Sequence, residues 1–169
     1  PLGIGIILAA QMRGRAPAED LEGAYLAMVT SNAPVTAVIG ACRVAAMTDV
    51  TGFGLARHAL NLAARCGFSG VHLTLDDIPL LAGAAELSAS GIASSLRDGN
   101  MRAVPEQHIA PDLAPEKTAL LFDPQTSGGV LAAIPSTDVE PVIAALARHK
   151  GSLAVRIGRF TSVSGLTLS

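Results

Sequence analysis

No tryptophan occurs in the 169 residues, Tyr25 is the one tyrosine, and phenylalanine appears four times. That scarcity excludes an aromatic platform on which single-stranded bases could stack. It also leaves the interior to aliphatic and alanine side chains, which predicts close helix-to-sheet contacts. An excess of charge of one sign is equally missing, because twelve Lys and Arg against fourteen Asp and Glu give a net charge of -2 with no long basic block. General attraction to nucleic acid therefore has no electrostatic basis, although a local pocket for a phosphate-bearing small molecule needs no global positive charge. Cysteine is limited to Cys42 and Cys66, which form neither a C-x-x-C pair nor a disulfide framework and are expected to be buried free thiols in a reducing compartment. Nor is there an apolar run with the length of a membrane span, or a charged start followed by a cleavage pattern. The cytoplasm is the expected compartment, without direct nucleic-acid or membrane partners. The text opens on Pro1 rather than methionine, so further sequence is expected upstream.

A chain of this length supports one compact domain, read here as residues 1–169. Leu2, Ile4, Ile6 and Leu8 alternate with smaller residues and predict a first strand. The break from Gln11 to Pro17 leaves Arg13 and Arg15 available to solvent or an anion, solvent being the simpler reading for isolated arginines. A helix is predicted over Glu19–Val29, with acids at its start, and a second over Val35–Ala41. Asn32 between them suits a helix boundary or a polar contact with a neighbouring domain. Val44–Met47 reads as a strand, Phe53–Gly67 as a helix, and Val71–Leu75 as a strand with one buried face. Asp76 and Asp77 diverge on extended chain and read as a solvated turn or cap. One or two short helices follow in Leu80–Ala93, then turn chemistry from Ser94 to Asn100 and an irregular stretch to Lys117. Strands are predicted at Ala119–Phe122, Val130–Ile134 and Leu153–Ile157. The helix at Val139–His149 is closed by Lys150, Gly151 and Ser152. Strands and helices alternate too irregularly for a simple dinucleotide fold, and the expected class is α+β, a layered α/β sandwich.

Two stretches carry chemistry. Met47 to His58 reads M-T-D-V-T-G-F-G-L-A-R-H and puts an isolated acid, Asp49, where an apolar strand becomes a helix. Gly52 and Gly54 allow a positive φ or close approach of a bound group, and amides at a helix start can face an anion. A metal carboxylate beside a phosphate-accepting turn is one reading; the other is that Asp49 or Thr51 caps the helix and the glycines only make the turn. His58, on that helix, suits a hydrogen-bonding role behind the site rather than direct ligation. Leu120 to Gly129, L-L-F-D-P-Q-T-S-G-G, is a second apolar segment broken by an acid, two hydroxyls and a glycine pair.

Together with P-L-G-I-G at Pro1 to Gly5, these motifs resemble the selenophosphate synthetase family, also called selenide, water dikinase. The likeness covers essentially the whole chain and is specific to the family's carboxy-terminal domain, a type shared with aminoimidazole ribonucleotide synthetase. It implies a domain of that layered fold in an enzyme converting selenide, ATP and water to selenophosphate, AMP and phosphate. Asp49 then matches an aspartate that helps hold magnesium at the ATP phosphates. Thr48, Thr51, Gly52 and Gly54 match its turn, and Thr126, Ser127, Gly128 and Gly129 match the second pocket-facing motif, with a structural turn equally open for these last four. Asn100 is matched, but the S-S-L-R-D-G-N before it lacks the family's glycine pair and threonine, and the ending after Phe160 is shortened. The family's reactive cysteine or selenocysteine, lysine, glycine-rich segment and further aspartates belong to an amino-terminal domain and match nothing at Cys42, Cys66, Lys117 or Lys150. The resemblance thus implies that domain and a homodimer as partners, and an isolated chain without activity. Alternatives are another ATP-using relative, such as a hydrogenase maturation or thiamine phosphate kinase protein, and an inactive regulatory or interaction domain.

Overall fold

The computed structural model describes residues 1–104, 106–148 and 153–169. The chain begins with a helix, α1 (Ile4–Gln11), followed by α2 (Ala18–Val29) and α3 (Ala33–Gly40). Strand β1 (Ala46–Asp49) leads into α4 (Gly54–Arg65) and β2 (Gly70–Leu73). The short helices α5 (Ala84–Ala89) and α6 (Arg97–Arg102), strand β3 (Gln107–Ile109) and α7 (Pro115–Leu120) follow, then β4 (Val130–Ala133), α8 (Val139–Ala147), β5 (Gly158–Thr161) and β6 (Gly165–Leu168).

Two sheets result. β1 and β4 form an antiparallel ribbon in which Asp49 faces Val130 and Thr48 faces Leu131. The larger sheet has the order β3-β6-β2-β5, with β6 parallel to both neighbours and β5 antiparallel to β2. Helix α4 packs on β2, β6 and the ribbon, its Leu55, Ala56 and Ala59 meeting Val71, Leu73, Leu166 and Phe122 in the main core. A second core joins Ile6, Ile7 and Ala10 of α1 to Ala24, Ala84, Leu87 and Leu120. Small alanines let these elements approach closely, as composition implied. The layered α+β class stands.

Several local readings are corrected. The predicted strand at Leu2–Leu8 is helix α1, because Ile4, Ile6, Ile7 and Ala10 are all buried. A helix buried on most sides has no polar stripe, and its isoleucines mimic strand alternation. Ala119–Phe122 is not a strand either: Pro115 starts α7 and the consecutive buried Leu120, Leu121 and Phe122 lie at its carboxy-terminal turn. The turn expected from Ser94 to Asn100 contains the start of α6. The late strand predicted at Leu153–Ile157 is displaced to Gly158–Thr161, and the chain after it ends in β6, an inner strand of the larger sheet. The predicted strand at Val44–Met47 is shifted to Ala46–Asp49, and Leu75 opens a 3-10 turn instead of ending β2. Asp76 in that turn pairs with Lys117 at 2.8 Å on the surface. The predicted helix closure at Lys150, Gly151 and Ser152, and His149 before it, lie outside the described residues.

Candidate functional site

The three motifs meet at one end of the ribbon. Beyond Asp49, the Val50 N–H donates to the Gly129 carbonyl at 3.0 Å and the Gln125 N–H to the Thr51 carbonyl at 3.1 Å, so the T-D-V-T-G-F-G and D-P-Q-T-S-G-G loops run against each other. The Gln125 side-chain oxygen accepts from the Gly3 and Ile4 amides at 3.2 Å each, and Asp123 Oδ2 accepts from Ile6 at 2.9 Å. These two side chains satisfy orphan donors at the start of α1, which is how the opening P-L-G-I-G is tied to the site. Sequence reasoning missed both roles, although an acid and an amide two residues apart before a glycine pair was their visible signal.

Asn100 donates to the Gly52 carbonyl at 2.8 Å and to the Phe122 carbonyl at 2.9 Å, clipping the two loops from α6. Both hydrogens of its amide are thereby engaged. Asn32, at the helix boundary before α3 as the sequence suggested, likewise donates to the Gly128 carbonyl at 2.8 Å. The cap reading of Asp49 and Thr51 is not what forms: Asp49 ends β1, Phe53 stands at the cap of α4 without a side-chain bond, and the Thr51 hydroxyl lies 3.1 Å from His58 Nε2. The Thr51 N–H also reaches that nitrogen, at 3.1 Å.

The glycines divide by what surrounds them. Gly54 has φ +75°, and an added Cβ would lie 2.8 Å from the Leu121 carbonyl oxygen; at Gly128 it would overlap the Val50 carbonyl. Gly52 and Gly129 face open space. Ser127 sits in the left-handed region at φ +51°, a conformation costly for a side chain with Cβ.

Asp49 is exposed, and the ion pairs among the described residues, Arg43–Asp138, Arg97–Asp98 and Lys117–Asp76, leave it out. Thr48 lies on the opposite, half-buried face of β1, its hydroxyl donating to the Asp49 carbonyl at 3.1 Å, so it does not line the surface that Asp49 presents. Thr126, Ser127 and Gly129 are exposed beside that surface. The amides of Thr51 and Gly54 are spent on His58 and the Thr51 carbonyl, while those of Gly52 and Phe53 have no intrachain acceptor among the described residues. No group of three or more His, Cys, Asp or Glu side chains suited to a metal occurs among the described residues. An open cleft of about 310 Å³ adjoins the turn, lined by Phe53, Arg57, Asn61, Asn100 and Ala103. Arg57, which sequence reasoning did not single out, brings a cation there and is steadied by the Ala103 carbonyl at 2.6 Å.

Asp123 is 1% exposed and its Oδ1 has no partner among the described residues. Burial pushes its carboxyl up to about 7, against the opposing pull of the Ile6 N–H, Arg97, Gln125 and the Gly5 N–H.

A mixed sheet and a two-stranded ribbon, both packed on α4, carry paired glycine loops at one end of the ribbon. The chain belongs to the family "AIR synthase related protein, C-terminal domain", which it matches over residues 2–169. Within that family its sequence is similar to proteins named selenide, water dikinase. It is 37% identical to that of Shewanella sp. (strain MR-7) over 150 residues, covering 89% of this chain and 42% of the relative. It is 32% identical to that of Carboxydothermus hydrogenoformans over 166 residues, covering 98% and 48%. The chain thus spans under half the length of these curated relatives. In fold it matches E. coli HypE, a hydrogenase maturation protein, at a TM-score of 0.67 and 18% identity, over 99% of this chain and 42% of that one. Thiamine-monophosphate kinase from Stenotrophomonas maltophilia K279a gives 0.65 and 17%, over 99% and 47%. No helix among the described residues is long and apolar enough to cross a membrane.

Proposed function

We propose that this chain, as a single domain over residues 1–169, is the carboxy-terminal part of a selenide, water dikinase. Such an enzyme makes selenophosphate, AMP and phosphate from selenide, ATP and water. The observation that carries the reading is the seating of the two motif loops against each other with Asp49 and the open Gly52 and Phe53 amides on one exposed rim. Magnesium sites commonly use one or two carboxylates and fill the remaining positions with phosphate oxygens and water. The donor set fits that pattern as a partial site, with Asp49 as the carboxylate from this chain. A magnesium ion held there by Asp49 would supply neutralisation of phosphate charge during transfer.

The chain's own residues hold and orient the ATP phosphates. Gly52 and Phe53 offer amide donors, Thr126 and Ser127 offer hydroxyls, and Arg57 adds positive charge from the adjoining cleft. Thr48, Thr51, Gly54, Gly128 and Asn100 shape the loops and leave direct contact to their neighbours. The reacting cysteine or selenocysteine, the lysine and the remaining metal ligands come from an amino-terminal domain of the same polypeptide, in a cytoplasmic homodimer. The 32% and 37% identities favour the selenium reaction over the hydrogenase-maturation and thiamine phosphate readings, whose proteins share this fold at 17–18%. The full-length polypeptide, assayed with magnesium and ATP, is expected to form AMP and selenophosphate only when selenide is supplied. ADP formation with thiamine phosphate as acceptor would overturn the reading, and selenophosphate made by this chain alone would overturn the divided site.

A further inference from the structure

A backbone N–H can only donate, so the 3.1 Å contact from Thr51 N to His58 Nε2 requires that nitrogen to be an unprotonated acceptor. The ring proton then sits on Nδ1. The Thr51 hydroxyl, also 3.1 Å from Nε2, then competes as donor for the same lone pair. Thr51 and His58, seven positions apart, thus close a loop from α4 back to the turn before it. We infer that neutral His58 is the positioning residue that holds the Thr51–Gly54 turn in its phosphate-facing shape, and that protonation of its ring releases the turn.

When Nε2 takes a proton from solvent it carries an N–H that points at another N–H, and the acceptor for Thr51 is lost. The phosphate-facing half of the inference rests on the function proposed above; the holding of the turn does not. Partial burial lowers the ring below its ordinary value of 6.5, while Asp49 on β1 pulls it upward. Among the other elements packed on α4, β4 and β6 carry no titratable side chain, and β2 carries His72, whose Nε2 lies 2.9 Å from the Ser169 hydroxyl. Helix α6 carries Arg97 and Asp98, paired at 2.9 Å, and Arg102. On α4 itself, adjacent Arg57 is tied to the Ala103 carbonyl.

The test is amide and imidazole NMR of the chain from pH 8 to 5, comparing wild type with His58→Gln and His58→Ala. Glutamine can place Oε1 near the position of Nε2 and accepts at every pH in this range. In the wild type, the Thr51 and Gly52 amides are expected to move with the His58 ring at one midpoint below its ordinary value. In His58→Gln they stay flat near their neutral-pH positions, and in His58→Ala the Thr51 amide exchanges about tenfold faster or more. A Thr51 amide indifferent to the ring's titration, or His58→Gln behaving like His58→Ala, overturns the positioning role. In the full-length polypeptide the KM for magnesium-ATP is expected to rise on the acid side in the wild type and to flatten in His58→Gln, with kcat retained. Amides that titrate as expected beside a KM that does not follow would overturn the phosphate-facing half alone.

Discussion

Asp123 shows what a single residue's surroundings do to its chemistry. Its sequence position in D-P-Q-T-S-G-G suggests a turn acid, yet it is buried with one oxygen on the Ile6 amide and the other unpartnered among the described residues. Its folded pKa, near 7, stands above the ordinary 3.8, so between about pH 4 and 7 the folded chain holds a proton that the unfolded chain has shed. Stability from this group is therefore greatest below pH 4 and declines as pH rises to about 7. Asp123→Asn keeps an oxygen for Ile6 and cannot ionise. Calorimetric melts are expected to show the variant gaining on the wild type across that window, by up to about 4 kcal/mol, with a constant difference above it. Parallel pH courses would show that the carboxyl titrates normally. What was legible at this scale was residue type and spacing: Asp49 stands at the end of a strand just before the helix, as the sequence placed it. Burial was not legible, because Asp123 and Gln125 are covered by α1, more than a hundred residues earlier in the chain.

Among the elements, the turn before α4 and the D-P-Q-T-S-G-G loop depend on backbones that come too close for a side chain. Gly54→Ala must place its Cβ against Leu121 and Phe122 at a positive φ, whereas Gly52→Ala meets nothing within 4 Å. Chemical denaturation is expected to show a loss of about 2 kcal/mol or more for the first and a change within about 0.5 kcal/mol for the second. Equal effects would contradict the close approach. A related expectation concerns α1: Gln125→Leu removes the acceptor of two buried amides, and a cost of about 1–3 kcal/mol is expected in the same measurement. Helix α4 was legible because Leu55, Ala56, Ala59, Leu62 and Ala63 face the core and Asn61, Ala64 and Arg65 face solvent. Helix α1 was not, because a segment with nearly every side buried has lost the polar half of the helical period.

For the whole molecule, the sheet order could not be read from strands of three or four residues, since alternation in so short a strand shows which face is buried and not which strand lies beside it. The parallel pairing of β6 with both β2 and β3 is set by the core instead: Leu166 and Leu168 are buried between them, although β6 ends one residue from the last in the chain. Removing residues 165–169 is accordingly expected to abolish cooperative thermal unfolding, and a truncated chain that melts like the intact one would contradict the central place of β6. The meeting of the motif loops was foreshadowed by their residue types, because glycines where backbones come close and polar side chains at a rim constrain residue identity directly. The proposed division of the site comes only through resemblance, since no physical property of these residues states which partner ligands would complete them.

The rim around Asp49 is proposed as one half of a magnesium and ATP phosphate site. Asp49 is exposed and outside the ion pairs described above, so Asp49→Asn is expected to leave the fold and its melting behaviour unchanged. The most direct measurement is magnesium-dependent selenophosphate formation by the full-length polypeptide carrying that substitution. Turnover is expected to fall by about a hundredfold or more, as when a preorganised group that stabilises transition-state charge is removed; turnover equal to the wild type at every magnesium concentration would contradict a place for Asp49 at the metal.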